Sequence, residues 1–285
     1  MKLLRLGPPG NEAPCVLTDD GSLLDISVIT PDIDAEFLAC GGLDAIRLMV
    51  EANALPRRPP AGDTRVGPPI ARPGKVVCIG VNYRDHAAET GHPTPAEPVV
   101  FLKAADTVIG PDDEVLIPRG STKTDYEAEL AVVIGRTARY LTTSQEGLAH
   151  IAGYTISHDV SEREFQLERG GQWDKGKSCE TFNPLGPLLV TADSVDDPQN
   201  LAVRLWVNGT VRQNGHTRDM IFPVGEIVRY LSHFMVLHPG DVINTGTPAG
   251  VALGHPHPQP YLRCGDRVDI EIAGLGRQQH TMGQA

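Results

Sequence analysis

Short apolar runs, most of them closed by glycine, proline or aspartate, punctuate the chain. The runs at 76–81, 99–102, 129–134 and 151–157 are rich in Val and Ile and read as strands. Leu201, Val203, Leu205 and Val207 alternate with other residues ahead of Asn208-Gly209, which predicts a tight hairpin. A helical spacing joins Ile227, Val228, Leu231, Phe234 and Met235 behind Pro223, and His238-Pro239-Gly240-Asp241 closes that helix. Ser161-Glu162-Arg163-Glu164 has the form of a capping box, so a helix is expected from there to Gly170-Gly171.

Residues 1–70 pattern differently. Val16-Leu17 and Leu23-Leu24 flank Asp19-Asp20-Gly21, a hairpin signal, and Leu43, Ile46, Leu48, Met49 and Val50 suggest a short helix. The stretch 56–73 is rich in Pro, Arg and Gly and reads as a linker. Two units are therefore expected, a small N-terminal α+β domain with its linker (1–70) and one large domain (71–285). Strands followed by isolated helices, without strict alternation or a solenoid repeat, predict a β-rich α+β fold.

Composition narrows the function classes. The 285 residues suffice for a full core, and 30 Gly with 24 Pro fit a chain of many turns. The net charge of −11 argues against a nucleic-acid partner. No apolar run approaches the ~20 residues of a membrane helix, and the start M-K-L-L-R-L-G-P-P-G lacks a signal-peptide core. Five scattered cysteines without a C-x-x-C pair suit reduced thiols, so a cytoplasmic location is expected.

The most informative segment is D-Y-E-A-E-L-A-V-V-I at 125–134. On one strand, Asp125, Glu127 and Glu129 share a face. Neighbouring carboxylates beside an apolar strand need neutralising, by a hard divalent cation, by Arg or Lys, or by solvent at a strand end. Asp159 follows the 151–157 strand and suits either a third oxygen ligand or a helix cap. His86 and Glu89, at i and i+3, form a general-base pair or a surface ion pair if their stretch is one helical turn. Thr90-Gly91-His92-Pro93 and the Pro-rich stretch through Pro95 and Pro98 follow in what reads as a mobile flap. Lys175-Gly176-Lys177 sits in a glycine-containing loop, as an anion contact or as solvated lysines. Thr245-Gly246-Thr247-Pro248-Ala249-Gly250 has the amides and hydroxyls of an anion-cradling turn, without the spacing of a P-loop.

Taken in order, these strings resemble the fumarylacetoacetate hydrolase family. They are G-V-N-Y-R-D-H-A-A-E at 80–89, F-L-K at 101–103, D-Y-E-A-E-L-A-V-V-I-G at 125–135, H-D-V-S-E-R at 158–163, K-G-K-S at 175–178 and T-G-T-P-A-G-V at 245–251. The resemblance spans most of the chain, from about residue 76 to 272. It implies a mixed β-roll or sandwich core. It places a metal site, Mg²⁺ or else Mn²⁺ or Ca²⁺, on Glu127, Glu129 and Asp159, and puts the hydrolytic pair on His86 and Glu89. It makes Lys177 the active-site lysine and Thr247 and Gln166 substrate contacts; Asp125 matches no ligand. Val81 stands where some members carry Arg, and Arg84 is the candidate replacement for a substrate-carboxylate contact.

The implied reaction is cleavage of a 2,4-diketo acid. His86 and Glu89 activate water for attack on the distal carbonyl, and the cation and Lys177 stabilise the pyruvate enolate that leaves. The whole-chain pattern, with its small N-terminal unit and the run Glu168-Arg169-Gly170-Gly171-Gln172-Trp173, is most similar to the branch acting on 2,4-diketo-3-deoxy acids derived from rhamnonate or fuconate. The expected partners are a small anionic keto acid and a second copy of the chain, with no membrane. Within the family the alternatives are an oxaloacetate or acylpyruvate decarboxylase-hydrolase, an unsaturated keto-acid hydratase or isomerase, and a ureidoglycolate lyase. Outside it stands a non-catalytic ligand-binding member.

Overall fold

The computed structural model describes residues 1–285. The apolar runs pair into an 11-stranded sheet, backed by a 5-stranded one that holds the Ala202–Val207 and Thr210–His216 hairpin. Ala128–Ile134 lies inside the larger sheet, antiparallel to Ile151–His158 on one side and to Val242–Asn244 on the other. Val242–Asn244 runs parallel to Val76–Gly80, and Val99–Lys103 forms the edge.

Burial on both faces explains why the inner strands read as unbroken apolar runs, whereas the edge strand Val99–Lys103 leaves Val99, Val100 and Leu102 exposed. Leu130, Val132 and Ile134 pack with Val203, Leu205, Val268 and Ile270 of the 5-stranded sheet. The alternate residues Ala131 and Val133 face a second core containing Phe37, Leu38 and Ile46 from the N-terminal helices. Each fully buried Leu, Ile or Val contributes about 1.5–3 kcal/mol. The β-rich α+β fold expected from the sequence is the one observed.

Four local expectations change. The N-terminal strands are not set apart, because Lys2–Leu6 pairs with Leu189–Thr191 and extends the larger sheet. The stretch 56–73 is more than a linker: it contains Arg57–Arg58 and Val66–Gly67, both paired to N-terminal strands. Within it Arg65 bridges Glu12 and Asp113, which ties the two parts of the chain together. Phe234 and Met235 lie beyond Val224–Leu231, and Phe234 is 66% exposed. No capping box forms at Ser161. Ser161–Glu162 is a short strand paired with Thr124–Asp125, and a single π-helical turn, Glu164–Glu168, follows it. The Ser161 hydroxyl donates back to the Asp159 carbonyl instead of capping a helix. No helix is long and apolar enough to cross a membrane.

Candidate active site

Strand register assembles the acidic cluster. Ala128 stands opposite His158 and Glu129 opposite Ser157, so the residues just outside the ladder, Glu127 and Asp159, meet at its end. The Asp159 N–H donates to the Glu127 carbonyl at 3.0 Å. One carboxylate oxygen from each of Glu127, Glu129 and Asp159 lies within 4.8 Å of the others, and all three residues are buried. Asp125 stands outside this cluster, because the strand breaks at Tyr126-Glu127.

Cations surround two of the three carboxylates. Lys177 Nζ donates to Glu127 Oε2 at 2.7 Å and to Asp159 Oδ2 at 2.8 Å, while Lys103 Nζ donates to Asp159 Oδ1. Arg163 Nη2 donates to Glu127 Oε1 at 2.6 Å. Glu129 accepts only the Gly246 N–H, at 2.7 Å, and has no cationic partner. The protonation preferences follow. Burial pushes Glu127 up, but Lys177 and Arg163 outweigh it and hold the carboxyl far below its usual range. For Glu129, burial is reinforced by Asp159 and Glu127, and its pKa stands well above the ordinary value. Burial disfavours the Lys177 ammonium, yet Asp159 and Glu127 keep it charged. An oxygen-only donor set with one uncompensated carboxylate fits a hard divalent cation.

The second element is the helix Arg84–Glu89. His86 and Glu89 fall one turn apart on one face, and His86 Nδ1 donates to Glu89 Oε1 at 2.9 Å. A carboxylate only accepts, so Nδ1 carries a proton, and in the neutral imidazole the lone pair is on Nε2. Glu89 Oε2 accepts the Gly250 N–H at 2.8 Å. The turn before this helix is held by buried Asn82, whose amide donates to the Phe222 and Thr245 carbonyls and accepts from the Phe222 N–H. It holds Val81 at φ 54°, a left-handed conformation costly for a β-branched residue.

The carboxylate cluster and His86 line one cleft, and Glu89 is joined to it through its bond to His86. The walls of the cleft include Ile79, Phe101, Trp173 and Leu253, with Thr90 and His92 of the expected flap at one side. Gln166, Thr247 and Lys177 also line it. Lys177 is not in a solvated loop; it ends the one-turn helix Asp174–Lys177 and is 2% exposed. Gly176 makes this possible, because a Cβ there would lie 2.3 Å from the Glu162 carbonyl oxygen. Thr247 Oγ1 donates to the Ala128 carbonyl and accepts from Gln213, so its hydroxyl proton is committed to the framework. Arg84 does not line the cleft; it is exposed at the start of its helix, where its neighbour His86 points inward. The 245–250 turn spends two amides on the protein's own Glu129 and Glu89 instead of cradling a free anion.

Sequence reasoning assigned no role to Arg163, Lys103 or Asn82. All three occur inside the quoted strings, at 158–163, 101–103 and 80–89, but only the folded chain shows them buried against carboxylates or carbonyls.

The fumarylacetoacetate (FAA) hydrolase C-terminal family profile matches residues 75–282. A Burkholderia multivorans protein named "Putative hydrolase" is 50% identical over 278 residues, covering 98% of this chain and 97% of the relative. The fumarylacetoacetate hydrolase of Exiguobacterium antarcticum superposes with a TM-score of 0.85 at 36% identity, over 100% of both chains. The maleylpyruvate hydrolase of Sphingobium sp. SYK-6, solved with manganese(II) and pyruvate, superposes with a TM-score of 0.81 at 28% identity, also over 100% of both chains. The chain belongs to the fumarylacetoacetate (FAA) hydrolase C-terminal family.

Proposed function

We propose that this protein is a divalent-metal-dependent hydrolase that cleaves the C–C bond of a 2,4-diketo acid to pyruvate and a second acid. The observation that carries the reading is His86, held by Glu89, lining one cleft with the Glu127, Glu129 and Asp159 carboxylates. A divalent cation held by those carboxylates supplies Lewis acidity toward the 2-keto acid end of the substrate. His86 takes a proton from water through Nε2, and Glu89 stabilises the resulting imidazolium at Nδ1. The water oxygen bonds to the distal carbonyl carbon. The adjacent C–C bond then breaks, its electron pair passes to the pyruvate unit, and the proton held by His86 returns there. Lys177 places a buried positive charge beside the developing anion. Gln166 Oε1 accepts from Arg163, which leaves the amide protons for a substrate oxygen. Phe101 and Trp173 wall the cleft and reduce water access.

The narrower substrate proposal is a sugar-derived 2,4-diketo-3-deoxy acid, of rhamnonate or fuconate origin. The pyruvate and manganese named in the Sphingobium structure support a pyruvate-type product and a divalent ion. The five free cysteines support placement in the reducing cytoplasm, and a homodimer is the proposed assembly. The test is pyruvate release from a panel of 2,4-diketo acids, with and without EDTA, by the wild type, His86→Ala and Glu127→Ala. Metal-dependent release by the wild type alone is expected. Full activity in either variant or in metal-free enzyme overturns the reading, as does double-bond migration or decarboxylation with no cleavage.

A further inference from the structure

Asp125 is fully buried and lies outside both the carboxylate cluster and the cleft lining. Its carboxylate still receives four donors. Oδ1 accepts the N–H groups of Tyr126 at 2.8 Å and Ala252 at 2.7 Å. Oδ2 accepts Arg163 Nε at 2.8 Å and the Leu253 N–H at 3.0 Å.

Two of these partners lead to opposite ends of the site. Arg163 continues to the acidic end, with Nη2 on Glu127 Oε1 at 2.6 Å and Nη1 on Gln166 Oε1 at 2.9 Å. The 250–254 segment continues to the dyad. Gly250 N–H donates to Glu89 Oε2 at 2.8 Å, and a Cβ on Gly254 would lie 2.7 Å from the Glu89 carboxylate. Charge-assisted bonds of this kind are roughly twice as strong as neutral ones. A planar guanidinium anchored at Nε cannot turn without releasing Glu127 and Gln166 together.

Resting on the cation-and-dyad reading above, we propose that Asp125 is a positioning residue. It holds the cation-binding end and the acid–base end of the cleft in one fixed relation, through Arg163 on one side and the Ala252 and Leu253 amides on the other.

Two variants of the full chain test this. Asp125→Asn keeps one acceptor oxygen but turns an amide donor toward donors. Ala252→Pro removes one N–H from Asp125 and leaves Arg163, Glu127 and Glu89 untouched. It suits the backbone, since Val251 at φ −65° and ψ 153° already has the conformation favoured before proline, and Ala252 opens a short helical turn. The readouts are calorimetric Mn²⁺ titration of metal-free protein and amide hydrogen exchange. For Asp125→Asn, Mn²⁺ binding about tenfold weaker is expected, with faster exchange in 84–90. For Ala252→Pro, altered at the dyad end alone, Mn²⁺ binding about threefold weaker is expected, with faster exchange in 127–129 and 163–166. Folded variants with wild-type Mn²⁺ affinity, and with exchange changed only next to the substitution, overturn the proposal. If Asp125→Asn does not fold, Ala252→Pro decides alone. If the wild type takes up no Mn²⁺, the cation reading fails instead, and exchange at 127–129 in Ala252→Pro still decides the coupling.

Discussion

His86 Nδ1 lies 2.9 Å from Glu89 Oε1, and the other oxygen of that carboxylate is held by the Gly250 N–H. The dyad is therefore fixed from outside its own helix, and Glu89 sets which imidazole nitrogen is basic. In Glu89→Gln, an amide must face either His86 Nδ1–H or Gly250 N–H with its own donor. General-base catalysis contributes about 10²–10⁴-fold. Pyruvate release by Glu89→Gln should accordingly fall by about 10²-fold or more while Mn²⁺ still binds stoichiometrically, and a loss under tenfold would remove the dyad from the mechanism.

Arg84 offers the opposite expectation. It is exposed, makes no side-chain hydrogen bond and stands outside the cleft lining. Arg84→Ala should leave kcat/KM within about twofold of wild type on any 2,4-diketo acid turned over. A rise in KM of tenfold would mean that the arginine folds inward over bound substrate.

Arg84 and Arg163 also mark what could be read in the sequence. Strands were legible because residues 130–134 are buried on both faces and are apolar throughout. The cluster was legible because Glu127 and Glu129 interrupt that apolar run at its start. The roles of the two arginines were not, since neither residue type nor spacing says which is buried. Arg163 reaches Asp125 and Glu127 only because Ser161–Glu162 pairs with Thr124–Asp125, a long-range pairing that replaced the expected capped helix. The lysine environment was hidden in the same way. The fit of Gly176 against Glu162 is a tertiary contact with no local signature.

Glu129 makes stability depend on pH and metal together. Its folded pKa lies above the unfolded value, chiefly through burial and then Asp159 and Glu127. A carboxyl raised in this way holds its proton more tightly in the folded chain. Its stabilisation is fully present below the unfolded value of about 4.3 and is lost as pH rises through the folded pKa. Metal-free Glu129→Gln should therefore be more stable than metal-free wild type near pH 8, by no more than the ~3–5 kcal/mol cost of an uncompensated buried charge. The difference should shrink toward pH 4.5. Saturating Mn²⁺ should narrow the gap, because wild type gains about 2.7 kcal/mol at 100 times Kd. Thermal melts of both proteins across pH, with and without Mn²⁺, check the sign; a variant that melts below metal-free wild type near pH 8 contradicts it.

Gly176 and Gly171 separate displacement of Lys177 from simple backbone strain. Gly171 has φ 71° and open space around the missing Cβ, so Gly171→Ala bears only the conformational cost of a left-handed residue, roughly 1 kcal/mol. At Gly176, an added Cβ would meet the Glu162 carbonyl oxygen at 2.3 Å and the Gln166 nitrogen at 2.6 Å. Those are backbone atoms and cannot swing aside, so Asp174–Lys177 must shift. Overpacking of this kind costs about 1–3 kcal/mol, which corresponds to about 2–4 °C in Tm per kcal/mol for a chain of this size. The shift also carries Lys177 Nζ away from Glu127 and Asp159, and misplacement by about 1 Å can cost ~10²-fold in rate. Gly176→Ala should thus lose about 10²-fold in kcat with a modest drop in Tm, whereas Gly171→Ala loses stability and keeps kcat within a few-fold. Equal kcat in the two variants would show that the lysine position is not set by this contact.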